Sequence, residues 1–224
     1  MMGNLKKTAL TAVIITTCTA APLMAYEAGD FVARVGAAGV YPTGESDDLD
    51  AVPGGKVEAD NAWSLGLSFT YMFTDNVGVG VLGAYPFKHD IKPKGTLKDI
   101  DSRDVGETKQ LPPTVTLQWH IPTGTNFNPY LGAGINYTYF FDQNTKGLLE
   151  DTGANLDIDD SWGWAAEGGV DYLFANDWLV SGQVWYASIE PDADVTGGTL
   201  GLNERNLKVK IDPWIFMVSV GKKF

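Results

Sequence analysis

The sequence predicts an all-β chain: a single eight-stranded antiparallel up-and-down barrel that crosses a membrane. Three observations point to it. Between Trp63 and Tyr71 every odd position is large and apolar or aromatic, and every even one is Ser, Gly or Thr. That is a strand with one oily face and one quiet face. Seven further segments repeat the pattern, and the connectors between them alternate between long and short, as they do in outer-membrane barrels. Aromatic residues gather near the strand ends on the outward phase, where they form interfacial girdles. A soluble β-sandwich also alternates, but it carries charges rather than Trp, Val and Leu on its outer face.

The elements follow in order. Lys6 and Lys7, an apolar and Thr-rich run, and Leu23-Met24-Ala25 before Tyr26 read as a cleavable secretory signal over residues 1–25. The run is shorter than the roughly 20 apolar residues that a spanning helix needs. Cys18, the only cysteine, falls within it, so the remaining barrel domain, 26–224, forms no disulfide. Removing the two lysines leaves 14 basic against 28 acidic residues, a net charge of −14. That charge argues against nucleic acid or anionic headgroups as direct partners.

Strands are expected at 31–41, 62–73, 77–87, 111–121, 129–141, 161–174, 178–189 and 207–224. Each is near the 9 to 11 residues that a tilted strand needs to cross hydrocarbon. The turns at 74–76, 122–128 and 175–177 are short, whereas 42–61, 88–110, 142–160 and 190–206 are long loops. An even strand count allows closure with both termini on the short-turn, periplasmic side. Trp214, Phe216, Val218, Val220 and Phe224 share one phase, while Leu207, Val209 and Ile211 lie on the other. A bulge near Asp212-Pro213 is therefore expected.

If Trp63 faces lipid, the opposite phase of each strand gives the lumen. Its periplasmic half carries Arg34, Gln118, His120, Glu167, Asp171 and Gln183, a polar floor in which the Arg is expected beside two carboxylates. Its outer half carries Leu82, Ala84, Phe140, Ala165, Trp185, Ala187 and Ile189 and is mostly apolar. Six of the seven Trp residues fall on the outward phase, and Trp185 is the exception. Pro86, Pro112 and Pro113 lie near the outer ends of adjacent strands and cannot donate ladder hydrogen bonds, which makes them a candidate lateral seam.

Several ordered segments carry a resemblance: Tyr71-Met72-Phe73-Thr74-Asp75-Asn76, Leu111-Pro112-Pro113-Thr114, residues 129–137 from Pro129 to Tyr137, Asp160-Ser161-Trp162-Gly163, Gly169-Val170-Asp171-Tyr172 and Asp212-Pro213-Trp214. With them the chain resembles the outer membrane protein W family over essentially its whole length after the signal. The resemblance implies an eight-stranded barrel in the outer membrane of a Gram-negative bacterium, with a narrow apolar lumen that passes small hydrophobic molecules. It implies alkane uptake in some relatives and bacteriocin binding in others, and it places Leu82 and Trp185 at a constriction.

The expected function is thus passive uptake of small hydrophobic solutes with lateral exit into the membrane. The alternative is a structural or receptor barrel that works through its loops. Expected partners are outer-membrane lipid, lipopolysaccharide and, through the C-terminal strand, the assembly machinery, with the barrel a monomer. No cofactor, metal or catalysis is expected. His89 and His120 should lie far apart, and Gly78 to Gly83, though it matches a dinucleotide pattern, lacks a following helix. Acidic clusters at 45–60 and 150–160 read as solvated loops, and the Lys-rich second loop as a weak phosphate contact.

Overall fold

The computed structural model describes residues 26–199 and 201–224; the expected signal, 1–25, lies outside the described residues. The chain runs through β1 (Phe31–Tyr41), β2 (Gly55–Ala59), β3 (Ala62–Met72), β4 (Val77–Ala84), β5 (Phe87–Gly95), α1 (Thr96–Ile100), β6 (Gly106–Leu111) and β7 (Thr114–His120). It continues through β8 (Phe127–Thr145), α2 (Gly147–Thr152), β9 (Ala154–Ile158), β10 (Ser161–Leu173), β11 (Trp178–Ala187), β12 (Asp192–Gly197), β13 (Leu202–Lys208) and β14 (Trp214–Lys223).

Eight of these form a closed antiparallel ring in the order β1, β3, β4, β7, β8, β10, β11, β14 and back to β1. Closure runs from Val32 opposite Lys223 to Tyr41 opposite Trp214, and Phe31 and Phe224 exchange backbone bonds of 3.1 and 2.8 Å. A ring without an edge is what a strand protein in lipid requires, because hydrocarbon offers no partner for a free N–H or C=O.

The side chains are arranged inside out relative to a water-soluble domain. On β3 the large residues Trp63, Leu65, Leu67, Phe69 and Tyr71 are exposed, and Ala62, Ser68, Thr70 and Met72 are buried. Of the seven Trp residues six lie on the outer surface, and Trp185 alone is inside, 2% exposed. Two belts of ring contacts result. Tyr41 meets Trp63 and Trp164 meets Tyr186 at the long-loop end, and Phe127 meets Tyr172 at the turn end. Lys222 lies 5.9 Å from the Trp178 ring and 5.5 Å from that of Phe224, a cation held over the turn-end belt.

The long loops depart from the sequence expectation. They are not merely solvated: β2, β5, β6 and the upper part of β8 continue the barrel wall outward as one sheet, and β9, β12 and β13 form a second. Glu204, read as part of an ordinary loop, is buried there. The last strand also differs. It does not run unbroken through a bulge from residue 207; β13 ends at Lys208 in the second sheet, and β14 starts at Trp214 in the barrel. Asp212 has φ 37°, the left-handed region, so the chain turns sharply as it passes from one sheet to the other. At the other end the expected tight turn at 175–177 is present, with Asn176 and Asp177 at φ 61° and 63°.

Candidate functional site

The lumen has three storeys, each set by which inward side chains share a height. The lowest is polar. Arg34 of β1 donates from Nε and Nη2 to the two oxygens of Asp171 on β10, at 3.1 and 2.5 Å, and from Nη1 to Thr70 at 2.9 Å. Tyr26 donates to the same carboxylate at 2.5 Å. Both members of this ion pair are fully buried. A forked guanidinium–carboxylate pair with its remaining positions bonded is the arrangement in which a buried charge is tolerated. Beneath it Tyr26, Val32, Met72 and Leu179 pack across the turn-end mouth.

The expected second carboxylate stands apart from the arginine. Glu167 lies two inward positions higher on β10, beyond Gly169, and accepts hydrogen bonds from Thr116 and from Gln118, the latter at 2.8 Å. Gln183 donates to Tyr130 at 2.6 Å and to Ser68 at 3.2 Å, and His120 stacks on Tyr130 with centroids 4.8 Å apart. All six residues of the expected polar floor are therefore inside and close together, but as three hydrogen-bonded groups: Arg34 with Asp171, Glu167 with Gln118 and His120, and Gln183 with Tyr130.

The middle storey is apolar and tightly filled. Leu82 on β4 and Trp185 on β11 stand on staves four apart in a ring of eight, so they approach from opposite walls. They join Ala38, Val40, Ala62, Phe87, Ile215 and Met217 in one buried cluster, with Ala84 packed against it. Phe140, Ala165, Ala187 and Ile189 form a second cluster with Ile158, Ala193 and Ile211, directly under the loop sheets.

The upper storey is the part that the sequence reading missed. A cavity of about 130 Å³ lies between the two loop sheets, with Val57, Ile91, Val105 and Phe140 on one side and Leu156, Val195 and Leu207 on the other. Of the expected lumen residues only Phe140 lines it; Leu82 and Trp185 lie below, in the packed layer. Its walls had a legible signal. Lys56-Val57-Glu58-Ala59 and Ala193-Asp194-Val195 alternate as strands do, and Leu207, Val209 and Ile211 share one phase.

The prolines sit at a break in the wall. The β4–β7 ladder ends at Leu82 opposite Thr114, and pairing between the same two staves resumes only at Phe87 opposite Gln110. Successive residues of a strand turn their N–H and C=O to alternate neighbours. Tyr85 donates to Leu65 of β3, and Pro113 accepts from Tyr137 of β8. By alternation, Pro86 and Pro112 are the residues whose missing N–H faces the gap, whereas Pro113 faces the intact β8 side. The break lies level with Leu82 and Ala84, beside the packed layer.

Above the wall, His89 is buried. It meets the carbonyl of Asp60 through Nδ1 at 2.5 Å and Gln110 through Nε2 at 2.8 Å. Burial holds its pKa below the ordinary histidine value, so the ring is neutral, with its proton on Nδ1. Among the described residues no group of His, Cys, Asp and Glu is placed to hold a metal ion.

A family model described as the OmpW family matches residues 27–224. The chain is 41% identical to outer membrane protein W of Escherichia coli over 223 residues, which is 98% of this chain and 100% of that protein. It is 28% identical to the dibenzothiophene metabolism operon protein PahQ of Pseudomonas aeruginosa, over 92% of this chain and 94% of that one. The crystal structure of the outer membrane protein OprG from Pseudomonas aeruginosa matches with a TM-score of 0.82 at 40% identity, covering 89% of this chain and 97% of that chain.

Proposed function

Because the chain belongs to the outer membrane protein W family, we propose that it carries small hydrophobic molecules inward by partition and diffusion, from the loop chamber through the wall into the membrane. As an outer-membrane barrel it presents its long loops outside and its short turns and both termini to the periplasm. The observation that carries the reading is the vertical order of the lumen: an apolar chamber, a packed apolar layer with an unpaired seam beside it, and a buried ion pair beneath.

Each storey has a role in this reading. The chamber is close in size to the cavities of about 150 Å³ that bind benzene, so one ring or a short hydrocarbon fits. Leu82 and Trp185 form the constriction that a solute meets next. Continuing straight down would exchange an apolar contact for the Arg34–Asp171 pair, at the cost of breaking buried charged hydrogen bonds. Moving sideways between Pro86 and Pro112 leads to hydrocarbon without crossing a backbone ladder. The relative named for a dibenzothiophene metabolism operon agrees with an aromatic, apolar class of solute.

The barrel acts as a monomer, with lipid and lipopolysaccharide around its girdles and the C-terminal strand engaged by the assembly machinery during insertion. The test of the route is uptake of a hydrophobic dye into proteoliposomes. A Trp185→Arg variant, which places a charge in the packed layer, is expected to lose most of the barrel-dependent uptake. Equal uptake with and without the barrel would end the proposal.

A further inference from the structure

Glu204 is a carboxylate 5% exposed, on β13 of the second loop sheet, opposite Val195 of β12. It accepts hydrogen bonds from two successive backbone amides of the first loop, that of Asp50 at 3.0 Å and that of Ala51. The loop it grips is a small self-contained cap. Leu49 N bonds to Gly55 O at 2.9 Å, Val52 N to Leu49 O at 3.2 Å and Gly55 N to Val52 O at 2.7 Å, with Gly54 at φ 77° closing the turn.

The cap belongs to the first sheet. It leads directly into β2, and Thr96 at the start of α1 holds it through Gly54 O and Pro53 O, at 3.1 and 2.9 Å. Leu49, Ala51 and Val52 line the chamber. The cap thus bridges from one loop sheet to the other across the chamber, and its tip is fastened on the far side by the Glu204 side chain. The backbone bonds to the second sheet come earlier in the loop, from Asp47 N to Lys208 O at 2.9 Å and at the bridge of Ser46 with Val209, where they form a hinge rather than a fastening.

We propose that Glu204 is the latch of this lid: the two sheets part at the cap when the carboxylate releases the amides of Asp50 and Ala51, and that opening admits the solute from outside. The inference rests on the chamber being the entry route. It adds which contact sets the rate of entry. Glu204 also lines the chamber, but both of its carboxylate oxygens are taken by the cap amides, so it is a positioning residue that acts through the cap. Hydrogen bonds to a buried charged acceptor are stronger than neutral ones, so the latch keeps the lid mostly closed while a single local release suffices to open it.

The test uses the full chain in lipid nanodiscs. Val57 lines the chamber and is buried, so Val57→Cys places a thiol behind the lid, and its rate of alkylation by N-ethylmaleimide reports opening. Ile100→Cys, outside the chamber and exposed, calibrates intrinsic reactivity. Adding Glu204→Ala is expected to raise the Val57→Cys rate about tenfold, equivalent to about 1.4 kcal/mol. Glu204→Gln, which keeps the shape and one acceptor oxygen, should fall between, and the Ile100→Cys rate should not change.

Amide exchange at Asp50 and Ala51 should quicken in step, with the thermal unfolding of the barrel unmoved. Unchanged alkylation and exchange in both Glu204 variants overturn the latch; if Glu204→Ala fails to fold, Glu204→Gln alone decides. Failure of the uptake route is a separate result. It would appear as faster alkylation in the Glu204 variants together with hydrophobic dye uptake that a chamber-filling Val57→Trp leaves intact.

Discussion

Removing the carboxylate of Asp171 tests the floor of the lumen most severely. In Asp171→Ala the Arg34 guanidinium, 1% exposed, keeps only its 2.9 Å bond to Thr70 and loses both bonds to the carboxylate. Tyr26 loses its acceptor at the same time. Breaking a buried pair by deleting one partner costs about 3–5 kcal/mol, because the other charge is left uncompensated. An unsatisfied buried hydroxyl adds about 1–3 kcal/mol. Deleting both charges with apolar residues of similar volume, Arg34→Met with Asp171→Leu, should instead be nearly neutral apart from the hydroxyl, and Tyr26→Phe in the same chain should remove that remainder.

The assay is reversible urea unfolding of the barrel in lipid vesicles, read by tryptophan fluorescence, with the single, double and triple variants compared as a cycle. A large loss is expected in the single variant, mostly recovered in the triple. A loss below about 1 kcal/mol in Asp171→Ala, or a triple variant as unstable as the single, would refute this.

Other outcomes follow from particular contacts. His89 is held neutral by burial, so its folded-state pKa lies below the unfolded value of about 6.5; the unfolded state then binds more protons, and stability falls as pH drops below that value. Amide exchange in β5 and β6 should therefore quicken under mild acid, and His89→Gln should remove the dependence; a pH-independent wild type would contradict this. Gly169 lies against Tyr130, where an added Cβ would fall 2.4 Å from the ring's Cζ. Gly169→Ala should cost about 1–3 kcal/mol by displacing that ring, and Tyr130→Leu in the same chain should relieve most of the strain, both read by urea unfolding.

The lipid-facing half of the fold was legible because it obeys a local rule. Alternation alone separates Trp63 and Trp162 from Ser64 and Gly163, and the same count placed Trp185 inside. Phase fixes which side a residue faces, but it does not fix height, and that is why Arg34 could not be assigned one carboxylate. Height comes from register. Arg34 pairs with Gly221, Gly221 with Leu179 and Leu179 with Leu173, which brings the arginine level with the β10 residues next to Asp171 and well below Glu167.

The chamber was hidden for a different reason. Its strands are short and keep one charged face in water, so Lys56-Val57-Glu58-Ala59 reads as loop until its partner is known. The contacts that assemble it, such as Glu204 with Asp50 and Lys208 with Asp47, join segments about 150 residues apart in sequence. The prolines were legible as missing donors. Only the observed bonds of Tyr85 and Pro113 separate the two that face the gap from the one that does not.

That separation supplies the most direct test of the route. Pro86→Val with Pro112→Val restores the two donors that face the seam, and Pro113→Val restores one that faces β8. Barrel-dependent uptake of a hydrophobic tracer into proteoliposomes is to be measured for both. The initial rate is expected to be about tenfold slower in the first variant, as ladder bonds worth about 0.5–1.5 kcal/mol each form across the gap, and near wild type in the second. Unaltered uptake in the Pro86→Val and Pro112→Val barrel, with its fold intact, would contradict lateral exit at this seam.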